Sequence, residues 1–113
     1  MNTQMEQLID IFAEFIRENH YITFAYSRLE DCWYLLTEPT GGCYDSLNTI
    51  HDLNEAYQYM LEECQYYWLE KNHLLRSEKM PDEIIDELSP EIRELLQKFT
   101  APYERRAQKV LMQ

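Results

Sequence analysis

Apolar residues return every three to four positions over residues 4–19. Met5, Leu8, Ile9, Phe12, Phe15 and Ile16 form one broad stripe, and that spacing predicts an amphipathic helix. The period then shortens to two. Ile22, Phe24 and Tyr26 alternate with Tyr21, Thr23, Ala25 and Ser27, and Cys32, Tyr34 and Leu36 alternate with Trp33, Leu35 and Thr37. Two strands, 21–27 and 32–38, are expected, joined by the polar turn Arg28-Leu29-Glu30-Asp31. Pro39-Thr40-Gly41-Gly42 marks a second turn, after which Cys43–Leu47 supplies a short third strand.

The helical period resumes at residue 52. Asp52 suits the capping position, with Glu55 three residues on completing a capping box. Leu53, Ala56, Tyr57, Met60, Leu61, Cys64, Tyr67 and Trp68 then share one face to about residue 71. Residues 72–80 read as a polar connector. Pro81 opens a short helix carrying Ile84, Ile85 and Leu88. Ser89-Pro90 opens another, carrying Ile92, Leu95, Leu96 and Phe99, and Pro102 is expected to break it before a last basic helix with Tyr103, Ala107, Val110 and Leu111. The order implies an α+β fold: an N-terminal helix, a small antiparallel sheet, a long helix and short C-terminal helices. Helices cover one side of the sheet, with Phe12, Phe15, Ile16, Phe24, Leu61 and Trp68 in the core.

At 113 residues the chain fits a single domain, 1–113, with an α+β body over 1–71 and a helical segment over 81–113. The apolar residues of that segment are expected to pack on the body; a homodimer joined through it is the alternative. The start carries no basic and apolar leader pattern, and no run of 18 apolar residues follows, so a cytoplasmic protein outside the membrane is expected. Cys32, Cys43 and Cys64 lie 11 and 21 positions apart, and His20, His51 and His73 are scattered. Zinc sites use close ligand pairs, so the cysteines read as reduced, packed thiols, with no metal and no cofactor.

Charge changes the picture. Residues 1–70 hold 13 acidic and 2 basic side chains, whereas 71–113 hold 8 of each, so the whole net charge of −11 lies in the first part. On the first helix Glu6, Asp10, Glu14 and Glu18 recur every four residues. Each step advances about 6 Å and turns about 40°, giving a slowly winding row of negative charge. Three like-charged pairs at this spacing cost the helix on the order of 1 kcal/mol. A basic protein partner explains such a row; a solvated face that only keeps the chain soluble is the competing explanation. The long helix repeats the theme, with Glu55, Tyr59, Glu62, Glu63, Tyr66 and Glu70 opposite its apolar stripe. Tyrosine among carboxylates suits a protein-binding face, unless the C-terminal helices fold back and bury Tyr59 and Tyr66. Glu30 and Asp31 add an acidic hairpin tip.

Signals for catalysis are poor, and no catalytic residue is assigned. His51 and Asp52 are neighbours that point differently, and Asp52 serves better as a cap. Gly41-Gly42 lacks the following Lys-Ser/Thr of a phosphate loop, and no serine has a histidine at an informative spacing. Direct nucleic-acid binding is disfavoured too: Arg105, Arg106 and Lys109 form a small basic group, but a net −11 repels phosphate. These cations either complement a helix terminus or meet the acidic half of another copy.

The acidic helix 4–19, the aromatic hairpin 21–38 and the acidic helix 52–71 resemble, in size, charge and element order, the small acidic α+β inhibitors of phages and mobile elements, anti-CRISPR proteins among them. That resemblance covers about the first 70 residues and carries no residue motif. It implies a non-enzymatic inhibitor that imitates the phosphate array of a nucleic acid in the basic groove of a nucleic-acid-handling enzyme. A structural or adaptor subunit acting through self-association or protein contacts is the alternative.

Overall fold

The hydrophobic periods translate directly into elements. A computed structural model describes residues 2–18, 22–37 and 46–113. In chain order these form α1 (Asn2–Glu18), β1 (Ile22–Ser27), β2 (Cys32–Thr37), β3 (Ser46–Ile50), α2 (Leu53–Lys71), α3 (Pro81–Glu87) and α4 (Pro90–Leu111). The fold is α+β, as the change of period implies. Expected positions 19, 21, 38 and 43–45, and the Pro39–Gly42 turn, lie outside the described residues. The third strand runs further than its composition suggests, through Asn48, Thr49 and Ile50, because it pairs with β2 along that length.

The sheet is antiparallel in the order β1-β2-β3. Its register sets Tyr26 opposite Trp33 and Trp33 opposite Ile50, with Phe24 opposite Leu35. Side chains alternate along each strand, so Trp33, Leu35 and Ile50 share the inward face and are buried, with Ile22, Phe24 and Tyr26 packed against them. Cys32, Tyr34, Leu36, Leu47 and Thr49 take the opposite face.

Asp52 caps α2 by accepting the Glu55 N–H at 2.8 Å. The Glu55 carboxylate reaches back one residue beyond the cap, accepting the His51 N–H at 3.4 Å. At the other end of α2, His73 adopts φ 57°, and the Leu74 N–H bonds the Leu69 carbonyl while the His73 N–H bonds that of Glu70. This is a Schellman turn with histidine where glycine is preferred. Ser89 caps α4, and Pro90 occupies its first turn.

The three long helices share an aromatic centre. Phe15 of α1 meets Tyr67 of α2 at 5.1 Å, and Phe99 and Tyr103 of α4 at 5.9 and 4.9 Å between ring centroids. Phe12 adds contacts to Tyr57 and Tyr103. Met5, Leu8, Phe12, Ala56, Met60, Cys64 and Ala107 are fully buried around these rings. The molecule measures 46 × 38 × 20 Å, a thickness that suits two packed layers about 10 Å apart.

Three expectations need correction. Pro102 does not break α4, which continues for 22 residues. Pro102 and Lys98 both lie on the exposed side, so the Lys98 carbonyl deprived of its helical donor can turn to water. The core is centred differently: Phe12 and Phe15 are buried, but Ile16, Phe24, Leu61 and Trp68 are only half-buried, and Trp33 and Leu35 of the central strand are more enclosed. Leu95 is 56% exposed, although the rest of the C-terminal apolar set is buried or half-buried within the chain.

Candidate partner-binding surface

The twelve residues singled out from sequence fall on three elements. Glu6, Asp10, Glu14 and Glu18 all stand exposed on α1, which turns Met5, Leu8, Phe12 and Phe15 inward. Among the described residues the ion pairs are Lys79–Glu87 and Lys98–Glu94, and the α1 row takes part in neither. Arg17 is exposed on the same helix without closing a pair with the row. The row is therefore a continuous strip of negative charge, held on a helix whose other side is locked into the core.

Glu30 and Asp31 occupy the hairpin tip as expected, and both are exposed. Their carboxylates are engaged locally: the Tyr34 hydroxyl donates to Glu30 and the Tyr26 hydroxyl to Asp31. Tyr34 and Tyr26 project from opposite faces of the hairpin, so the two bonds brace the tip from both sides. Ser27 Oγ accepts the Glu30 N–H at 3.2 Å, and Asp31 takes a positive φ of 52°, a conformation aspartate tolerates better than most residues. Hydrogen bonding by Cys32, then by Glu30, holds the Tyr34 phenol well above its usual pKa. Neither tyrosine carried a sequence signal for this role; strand periodicity accounted for both.

The α2 group is more divided. Glu62 and Glu70 are exposed, whereas Glu55, Tyr59, Glu63 and Tyr66 are half-buried. Tyr59 packs against the core, and its phenol pKa is raised by burial first and then by Glu55 and Glu62. Further along α2 a second side is covered: Leu69, away from the main stripe, is fully enclosed, and Ile84 of α3 and Leu96 of α4 are nearly so. The alternative, C-terminal helices folding back over this face, is thus partly met: α3 roofs the part of α2 around Tyr66. There Glu62, Glu63, Gln65 and Tyr66 meet Met80, Pro81 and Asp82 across a cleft of about 360 Å³. Sequence reading missed this far wall. Its one local sign is Met80, an apolar residue at the capping position of α3, where polar residues are favoured.

Arg93 fixes α3 against α4. Its Nη2 donates to the carbonyls of Ile85, Asp86 and Leu88 at 3.2, 2.7 and 3.5 Å, satisfying the C-terminal end of α3. Of the cysteines, Cys32 and Cys64 are free thiols; Cys64 is fully buried, and burial first, then the charges of Glu104 and Glu14, raise its pKa to about 12. Cys43 lies outside the described residues. Among the described residues no three His, Cys, Asp or Glu side chains assemble as a metal site, and no helix is long and apolar enough to cross a membrane.

No protein-family model matches the sequence, and neither a curated protein nor a solved structure matches the chain. The geometry of its own residues has to carry the functional reading.

Proposed function

We propose that the protein is a non-enzymatic cytoplasmic inhibitor that binds a basic surface of a protein partner. The partner is a nucleic-acid-handling enzyme, and the α1 carboxylates stand in for the phosphates it normally holds. One observation carries this reading: Glu6, Asp10, Glu14 and Glu18 are all exposed, and none is neutralised by an ion pair among the described residues. An array of single negative charges about 6 Å apart along the helix is chemistry that a lysine- and arginine-lined groove recognises. The chain's net −11 adds long-range attraction to such a groove. The bracing of Glu30 and Asp31 by tyrosines presents a second acidic point in a fixed position, which lowers the ordering cost on binding.

The test is capture of partners by the immobilised protein across a salt series, with nucleic acid as competitor. A nucleic-acid-handling enzyme should be retained at low salt, released as salt rises and displaced by nucleic acid. The quadruple variant Glu6→Lys, Asp10→Lys, Glu14→Lys, Glu18→Lys should lose it while keeping the parent's circular dichroism spectrum. A partner indifferent to salt and to all four reversals would overturn the mimic.

A second reading, self-association or an adaptor role, draws on α4. Arg105, Arg106 and Lys109 are exposed on α4, which packs on α1, so oppositely charged faces lie on adjacent helices. Sedimentation at low and high salt separates the two readings: only self-association makes the protein alone sediment as a larger species at low salt.

A further inference from the structure

The cleft between α2 and α3 has a chemistry of its own. Its walls are unequal in polarity: Tyr66, Met80 and Pro81 supply apolar surface, Glu62, Glu63 and Asp82 supply carboxylates, and Gln65 an amide. Met80 is 63% exposed, an unbranched apolar side chain left at the lip. A neighbouring cleft of about 360 Å³ shares Tyr66, Met80 and Pro81 and continues past Leu75, Arg76, Ser77 and Lys79. The two form one furrow, acidic at one end and basic at the other, with an apolar saddle between.

The two ends differ in how their charge is balanced. At the basic end Lys79 is paired with Glu87, whose carboxyl pKa is lowered by that lysine and further by Arg76. At the acidic end Glu62 and Asp82 are in neither ion pair found among the described residues. Burial raises the Glu62 pKa, and the nearby charge of Asp82 raises it further. Two carboxylates that repel each other beside an apolar wall are complementary to one kind of group: a cation on an alkyl stem.

We propose that the acidic end of this furrow takes a lysine or arginine side chain of the basic partner, with its stem on Tyr66, Met80 and Pro81 and its charged head between Glu62 and Asp82. This rests on the basic-partner reading above and gives that partner an anchor residue. The cleft volume of about 360 Å³ lies at the small end for ligand pockets and suits a single side chain. Methionine, unbranched and flexible, adapts to either stem.

The test is a titration of the full chain with an oligo-arginine peptide, followed by backbone amide and methionine methyl resonances. An oligo-glutamine peptide of equal length is the control. The Met80 methyl and the amides of Glu62, Tyr66 and Asp82 should shift saturably with oligo-arginine alone. The double variant Glu62→Gln, Asp82→Asn, which changes only exposed side chains, should weaken those shifts about tenfold, the loss expected for a charged contact, and leave shifts along α1 unchanged. Met80→Ala should weaken the binding read from those amides as well. Shifts confined to α1, or cleft shifts whose affinity ignores the double variant, would overturn the cleft proposal and leave the α1 reading standing. Cleft shifts with none along α1 would support the cleft and count against the α1 row. No shift anywhere would overturn both.

Discussion

The side-chain amide of Gln4 donates to the backbone carbonyl of Val110 at 3.0 Å, joining positions 106 residues apart. With Phe15 against Phe99 and Tyr103, it sets α1 and α4 antiparallel and makes the C-terminal helix part of the same core as the first. Gln4→Ala should cost about 1 kcal/mol, the usual net worth of such a bond, measured by urea unfolding. Removing residues 89–113 should abolish cooperative unfolding, because Phe12, Phe15 and Tyr67 lose their α4 partners. A truncated chain that still melts sharply would show α4 to be an appendage.

Phe15 is the residue on which the helices converge. It is 2% exposed and touches rings on both α2 and α4. Phe15→Ala should destabilise by about 3–5 kcal/mol, through lost burial and the cavity left among rings held by three separate helices. Phe15→Leu should recover much of that. Denaturant midpoints for the pair would distinguish a cavity cost from a general intolerance at the site.

His73 holds a left-handed conformation at the end of α2. Glycine adopts it without the Cβ clash but is freer in the unfolded chain, so the gain is partial. His73→Gly should stabilise the protein by about 0.5 kcal/mol, whereas His73→Val should destabilise it. Thermal melts of the two variants should move in opposite directions.

Glu62 links stability to pH. Its pKa is raised in the folded chain by burial and by Asp82, so folding favours its protonated form. The stabilisation is present at pH below the ordinary glutamate range and is lost as pH rises through the folded pKa. Glu62→Gln removes the charge, so at pH 7 the variant should match or exceed the parent, by less than about 0.5 kcal/mol for a surface site. The difference should vanish towards pH 4. A variant less stable than the parent at pH 7 would contradict the stated surroundings of Glu62.

What the sequence by itself determined was local. Helical and strand periods located α1, the hairpin and α2, since each reflects which side chains one element can turn to one side. Asp52, Pro81 and Ser89-Pro90 marked helix starts because capping is chemistry among near neighbours. The exposure of Glu6, Asp10, Glu14 and Glu18 followed from the same wheel that buried Phe12 and Phe15. Tertiary structure decided what depends on distant partners. Pro102 stays within α4 because its side of the helix faces water, which no local rule about proline reveals. Trp33 and Leu35 outrank Phe24 in burial because β2 is the central strand, a matter of sheet order. Whether the second face of α2 stays open or is covered could not be read locally; it is half-covered because α3 returns across it, setting Met80 and Asp82 beside Glu62 and Tyr66. That cleft joins residues about 20 positions apart, and only the packing of two helices could bring a second wall to the first.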